Sequence, residues 1–137
     1  GTSPGGHLAA SVGTLSPQRP SFMILFYPVI SADTDKRHRG SFEQLLGKKH
    51  CDTPQSQELS LEKKVDVQTP PTLLFHCDDD KVVPAVNSVL FYKQLKTYGI
   101  KSSLHIYPSG GHGWGMSSCF RYYDDWQKSV LDWLSTL

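Results

Sequence analysis

The chain has 137 residues, enough for one domain with a sizeable core. Its 14 Lys+Arg nearly balance 13 Asp+Glu, with no basic stripe, which argues against a nucleic-acid partner. An 11% aromatic share argues against disorder, and no run approaches the roughly 20 apolar residues of a membrane span.

The first segment, Gly1-Thr2-Ser3-Pro4-Gly5, has the G-x-S-x-G form of a nucleophile elbow. Small neighbours suit a serine held in a strained strand-to-helix turn; Gly1 and Gly5 are expected to supply that space, and Gly6 room for the helix to approach the sheet. His7 to Val12 suits a short helix behind it, and the turn-rich stretch from Gly13 to Pro20 is expected to end that helix. Phe22 to Tyr27 is a continuous apolar run closed by Pro28, the pattern of a strand buried on both faces. Residues 31–68 are polar and weakly periodic. They read as an insertion over a substrate, with Leu45, Leu46, Leu59 and Leu61 anchoring one or two short helices.

Thr72 to Cys77 is the second predicted strand. A helix is expected from about Ala85 to Tyr98, stopped by Gly99. Ser103 to Tyr107 alternates like a strand near an edge, and a last helix is expected from about Phe120 to Leu134. Trp126, Val130, Trp133, Leu134 and Leu137 should face the sheet. This βαβ rhythm implies an α/β domain with parallel strands flanked by helices, and nothing divides residues 1–137 into two domains.

The chemistry concentrates in three places. Ser3 is a weak nucleophile that needs an adjacent base. His112 sits among Gly110, Gly111 and Gly113, just past the third strand, where the ring is free to turn toward a serine. Asp78, Asp79 and Asp80 follow the second strand, and a carboxylate there suits holding the His112 tautomer. Charge does not choose among the three. Each group falls where open α/β sheets place their sites. The other histidines carry quieter expectations. His7 lies beside the elbow, His38 and His50 in the insertion, and His76 and His105 within strands, where core hydrogen bonding suits them. Cys51, Cys77 and Cys119 match no zinc spacing and read as reduced structural thiols; no cofactor or metal is expected.

The Ser–acid–His order is that of the α/β-hydrolase triad. The chain resembles the C-terminal half of hydrolases of the acetyl-esterase and xylan-esterase-like group. The matching stretches are Gly1 to Ala10, Phe22 to Pro28, Thr69 to Ser88 and Ile106 to Gly115, above all Tyr107-Pro108-Ser109-Gly110-Gly111-His112-Gly113-Trp114-Gly115. The resemblance implies a partial α/β-hydrolase fold in which the N-terminal half of the sheet is absent. It implies Ser3 as nucleophile, His112 as base and Asp79 as acid, three residues before Val82. It further implies acyl-enzyme chemistry on a carboxylic ester, with acetylated plant-polysaccharide fragments or other small acyl esters as substrates. A prolyl-oligopeptidase-type peptidase and an inactive, truncated relative are the competing activities.

Two departures from that family pattern carry expectations of their own. The strand leading into the elbow is expected to be missing, leaving an apolar sheet edge that invites self-association. Pro4 replaces the small residue whose N–H normally serves the oxyanion hole, and proline has none. It is also expected to hold Ser3 away from unusual backbone conformations.

Overall fold

The computed structural model describes residues 1–33, 39–46 and 54–137, apart from the side chains of Phe42 and Leu45. His38, His50, Cys51 and the Leu45 side chain lie outside the described residues. The elements are α1 (Ser3–Leu15), β1 (Met23–Phe26), α2 (Arg39–Leu46), α3 (Pro54–Gln57), a 3₁₀ turn (Leu61–Lys63), β2 (Thr72–Cys77), α4 (Val86–Thr97), β3 (Ser102–Tyr107) and α5 (Tyr123–Leu134). No helix among the described residues is long and apolar enough to cross a membrane.

The three strands form one parallel sheet in the order β1-β2-β3. Leu73, Phe75 and Cys77 of the central strand point to one face and Leu74 to the other, and all of β2 is buried, with Thr72 and His76 as its hydrogen-bonded polar members. One face packs against α1 and α4 through Ala10, Leu25, Leu74, Phe91 and Leu95. The other is an aromatic layer in which Tyr107, Trp114, Phe120, Trp126 and Trp133 cover Phe75. Trp114 and Phe120 stack there at 4.0 Å between centroids.

Phe91, with no exposed surface, anchors α4 in the first of these layers. Phe91→Ala should therefore destabilise the fold by about 3–5 kcal/mol. Urea unfolding measures this, and a loss below about 1 kcal/mol would contradict the packing.

Helix α1 is longer at both ends than the sequence pattern implies. Pro4 sits in its first turn, where a missing N–H is tolerated. Gly13 does not stop it. A Cβ there would lie 2.4 Å from the Met23 sulfur, so Gly13 lets the helix lie close on β1. At the other end of the chain, α5 starts at Tyr123 rather than Phe120: Phe120 lies in the turns before it, its N–H on the Ser117 carbonyl and its ring stacked on Trp114. Leu137 lies past α5 and is half exposed rather than turned to the sheet.

The strand expected to be missing before the elbow is partly present. Gly1 and Thr2 run parallel beside β1, with Thr2 bridged to Phe26. The Phe26 N–H donates to the Gly1 carbonyl at 2.9 Å, and the Gly1 amine donates to the Ile24 carbonyl at 2.7 Å. Within residues 31–68, Leu61 is fully buried, while Leu46 and Leu59 pack against Val29, Ala32 and Val83.

Candidate active site

Ser3 sits where this strand stub turns into α1. Thr2 is extended, and Ser3 has φ 50°, a conformation that costs a non-glycine residue on the order of 1–3 kcal/mol. Pro4 does not pull it back, contrary to expectation. The turn is pinned on every side: the Gly6 N–H donates to the Thr2 carbonyl at 3.0 Å, and the Val29 N–H reaches the Ser3 carbonyl at 3.3 Å. Gly1 and Gly6 supply space as expected, and Gly5 does not. A Cβ on Gly1 would meet the Gly5 carbonyl oxygen at 2.5 Å, and one on Gly6 would meet Pro28 at 2.9 Å. At Gly5 a Cβ would meet nothing within 4 Å.

The loop after β3 brings His112 to the serine. Ser3 Oγ lies 2.8 Å from His112 Nε2. On the far side of the ring, Nδ1 lies 2.7 Å from Oδ2 of Asp80. A carboxylate only accepts, which assigns the proton to Nδ1 and leaves Nε2 to accept from the Ser3 hydroxyl. The ring is largely shielded and the Asp80 carboxyl has no exposed surface.

Asp79, expected in that position, does not make the contact. It is exposed and accepts instead from the backbone N–H groups of Gly110 (3.2 Å) and Gly111 (2.8 Å). The Gly111 bond is the main influence holding its carboxyl below the usual aspartate range. The structural reason is a shift of one residue. The chain turns at Asp78 and Asp79, and Asp80 folds back inward. Its Oδ1 accepts from the N–H groups of Val82 and Val83, both at 2.9 Å. The anchoring valine is Val83, fully buried, whereas Val82 is half exposed. Counting three residues back from the buried valine finds Asp80, a signal the hydrophobicity of the Val82-Val83 pair alone does not carry.

Around this centre the remaining titratable groups are structural. His76 is buried, donates from Nε2 to the Val83 carbonyl at 2.8 Å and accepts at Nδ1 from the Ser88 hydroxyl at 2.7 Å. Burial lowers its pKa and keeps it neutral, 3.3 Å from Asp80. His7 donates from Nδ1 to the Val29 carbonyl, and burial lowers it too. His105 lies flat on Phe75 at 5.0 Å. Burial pushes the Cys77 thiol up to about 11, so it stays protonated and competes poorly as a nucleophile.

Sequence reasoning missed Tyr27. Its ring lies 4.7 Å from that of His112, and its hydroxyl accepts the Gly115 N–H at 3.0 Å. Burial raises its pKa. The available signal was the Tyr-Pro pair ending an apolar strand.

The family model described as prolyl oligopeptidase family matches residues 1–137. The chain belongs to this family. The chain has the fold of a partial α/β-hydrolase domain. It is 39% identical over 142 residues to an acetylxylan esterase of Xylanibacter ruminicola, covering all of this chain and 30% of that protein. Among solved structures, it resembles an acetyl ester-xyloside bifunctional hydrolase from Caldicellulosiruptor lactoaceticus, with a TM-score of 0.90 and 39% identity over 99% of this chain and 54% of that one. A sugar hydrolase from Lactococcus lactis gives a TM-score of 0.80 at 30% identity, over 99% and 56% of the two chains. The chain thus spans under a third of that curated relative and about half of these solved hydrolases.

Proposed function

We propose that this family member carries the nucleophile, base and acid of a serine ester hydrolase that removes acetyl groups from plant-polysaccharide fragments. The observation that carries the reading is the unbroken relay from Ser3 Oγ through His112 to Asp80, with contacts of 2.8 and 2.7 Å. The substrate class rests on the likeness to the acetylxylan esterase and the acetyl ester-xyloside hydrolase.

The chemistry follows from the proton positions. Ser3 Oγ attacks the acetyl carbonyl carbon as its proton passes to His112 Nε2. Asp80 stabilises the imidazolium so formed and keeps its ring in place. His112 then gives the proton to the departing sugar oxygen, leaving Ser3 acetylated. Water, deprotonated by the same nitrogen, attacks the acyl carbon, and as the bond to Ser3 Oγ breaks His112 returns the proton to that oxygen and acetate leaves. The fixed arrangement means the base is in contact before substrate arrives, which removes an orientational cost from the barrier.

The test uses the protein as it is naturally expressed. A fluorophosphonate probe should label Ser3, and 4-nitrophenyl acetate should be turned over. Ser3→Ala should abolish both. Labelling elsewhere, or turnover that survives the substitution, would overturn the assignment. Preferential cleavage of a prolyl amide over the ester would move the activity to a peptidase. A slow hydrolase is the second reading, favoured by Pro4, which offers no N–H to a developing oxyanion.

A further inference from the structure

His112 is delivered by a loop that is intrinsically loose. Gly110, Gly111, Gly113 and Gly115 all have positive φ, a run with little conformational preference of its own. The ring must nevertheless stay within hydrogen-bond reach of two partners on two different elements. Trp114 is packed between Phe120 and Phe26, but a packed indole does not fix the backbone on either side of it.

The backbone is fixed at both ends by side chains that the reaction itself does not require. At the leading end, the two carboxylate oxygens of Asp79 take the N–H groups of Gly110 and Gly111 separately. At the trailing end, the Tyr27 hydroxyl takes the Gly115 N–H, and the same ring rests against the imidazole. Tyr27 is itself held under strain. It has φ 39° although Pro28 follows it, and its N–H donates to the Phe75 carbonyl at 2.7 Å. Ser3 and Tyr27 are the two non-glycine residues with positive φ among the described residues. Both precede a proline and both touch His112.

We propose that Asp79 and Tyr27 are positioning residues that bolt the two ends of the His112 loop, so that a glycine-rich segment presents its imidazole at a fixed place. Asp79 and Asp80 then complement each other, the first holding the loop's backbone and the second holding its ring. Neither Asp79 nor Tyr27 moves a proton. The inference rests on the hydrolase reading for its catalytic consequence, but the clamp itself is a statement about the loop and can be measured without turnover.

The experiment compares Asp79→Ala, Asp79→Asn and Tyr27→Phe in the same protein, with Asp78→Ala at the exposed neighbouring carboxylate as control. Amide hydrogen exchange is read at the loop, and 4-nitrophenyl acetate kinetics are read beside it. Asp79→Ala should speed exchange at Gly110 and Gly111 by about 10-fold, and Tyr27→Phe should do the same at Gly115. In each, kcat should fall about 10- to 100-fold with KM within about twofold, because a displaced base weakens the transition state rather than binding. Asp79→Asn should recover part of the loss, since its amide oxygen still accepts one backbone N–H. Unchanged loop exchange in both Asp79→Ala and Tyr27→Phe overturns the clamp. Faster exchange with kcat unchanged overturns its role in positioning. A parent protein with no turnover and no Ser3 labelling overturns the hydrolase reading instead, and the exchange rates still decide the clamp.

Discussion

Asp80→Asn should lower kcat by about 10⁴ while leaving the fold intact. The substitution keeps the Oδ1 acceptor that caps the Val82 and Val83 N–H groups, so the turn survives. What changes is the atom facing His112. An amide nitrogen in place of Oδ2 presents a donor to the Nδ1–H, and the ring escapes that clash by moving its proton to Nε2. In that tautomer it no longer accepts from Ser3 Oγ, so the nucleophile loses its base. Rotating the amide to restore the ring contact would instead turn the donor on the two valine N–H groups. Asp79→Asn should cost at most about 10², because it loosens the loop without touching the tautomer. Steady-state kinetics of the two variants at matched thermal stability make the comparison. A larger loss at Asp79 than at Asp80 would transfer the acid's role to Asp79 and refute the geometry.

That the two aspartates trade places relative to expectation shows what a sequence carries and what it does not. The strand Thr72–Cys77 was legible to the residue because it is central, buried on both faces and carries an unbroken apolar run, Leu73 to Phe75. The chain order of serine, acid and histidine was legible because the aspartates and His112 each follow an apolar strand pattern, while Ser3 stands in a G-x-S-x-G segment. The choice of carboxylate was not, since it depends on which valine of a pair is buried, and Val83 is buried by distant residues, Val29 and Ala32, rather than by any difference in hydrophobicity. The stretch from Gly13 to Pro20 ends α1 as its composition implies, at Leu15, but the role of Gly13 itself was not legible. In the fold it is the contact that lets α1 approach Met23. Tyr27 was invisible because its importance lies in a bond to Gly115, 88 positions away.

The second large effect is a gain. Pro4→Ala should raise the acylation rate constant, by up to about 10²–10³. The residue after the nucleophile normally offers its N–H to the oxyanion, and proline cannot. The Gly6 N–H does not substitute for it, because it is committed to the Thr2 carbonyl. Alanine restores a donor at the start of a helix whose backbone is already pinned by the Gly1, Thr2 and Ser3 carbonyls. Two smaller effects oppose each other in stability. Losing proline from the first turn of α1 frees the unfolded chain and costs about 0.4–1 kcal/mol. Ser3, at φ 50°, is at the same time relieved of the crowding a following proline imposes. Stability should therefore change little while acylation accelerates, a combination that a general repair of folding would not produce. Burst-phase kinetics with 4-nitrophenyl acetate separate acylation from release of acetate, and a thermal melt monitors the fold. An unchanged or slower burst would mean that the oxyanion is held by donors that do not include the residue after Ser3.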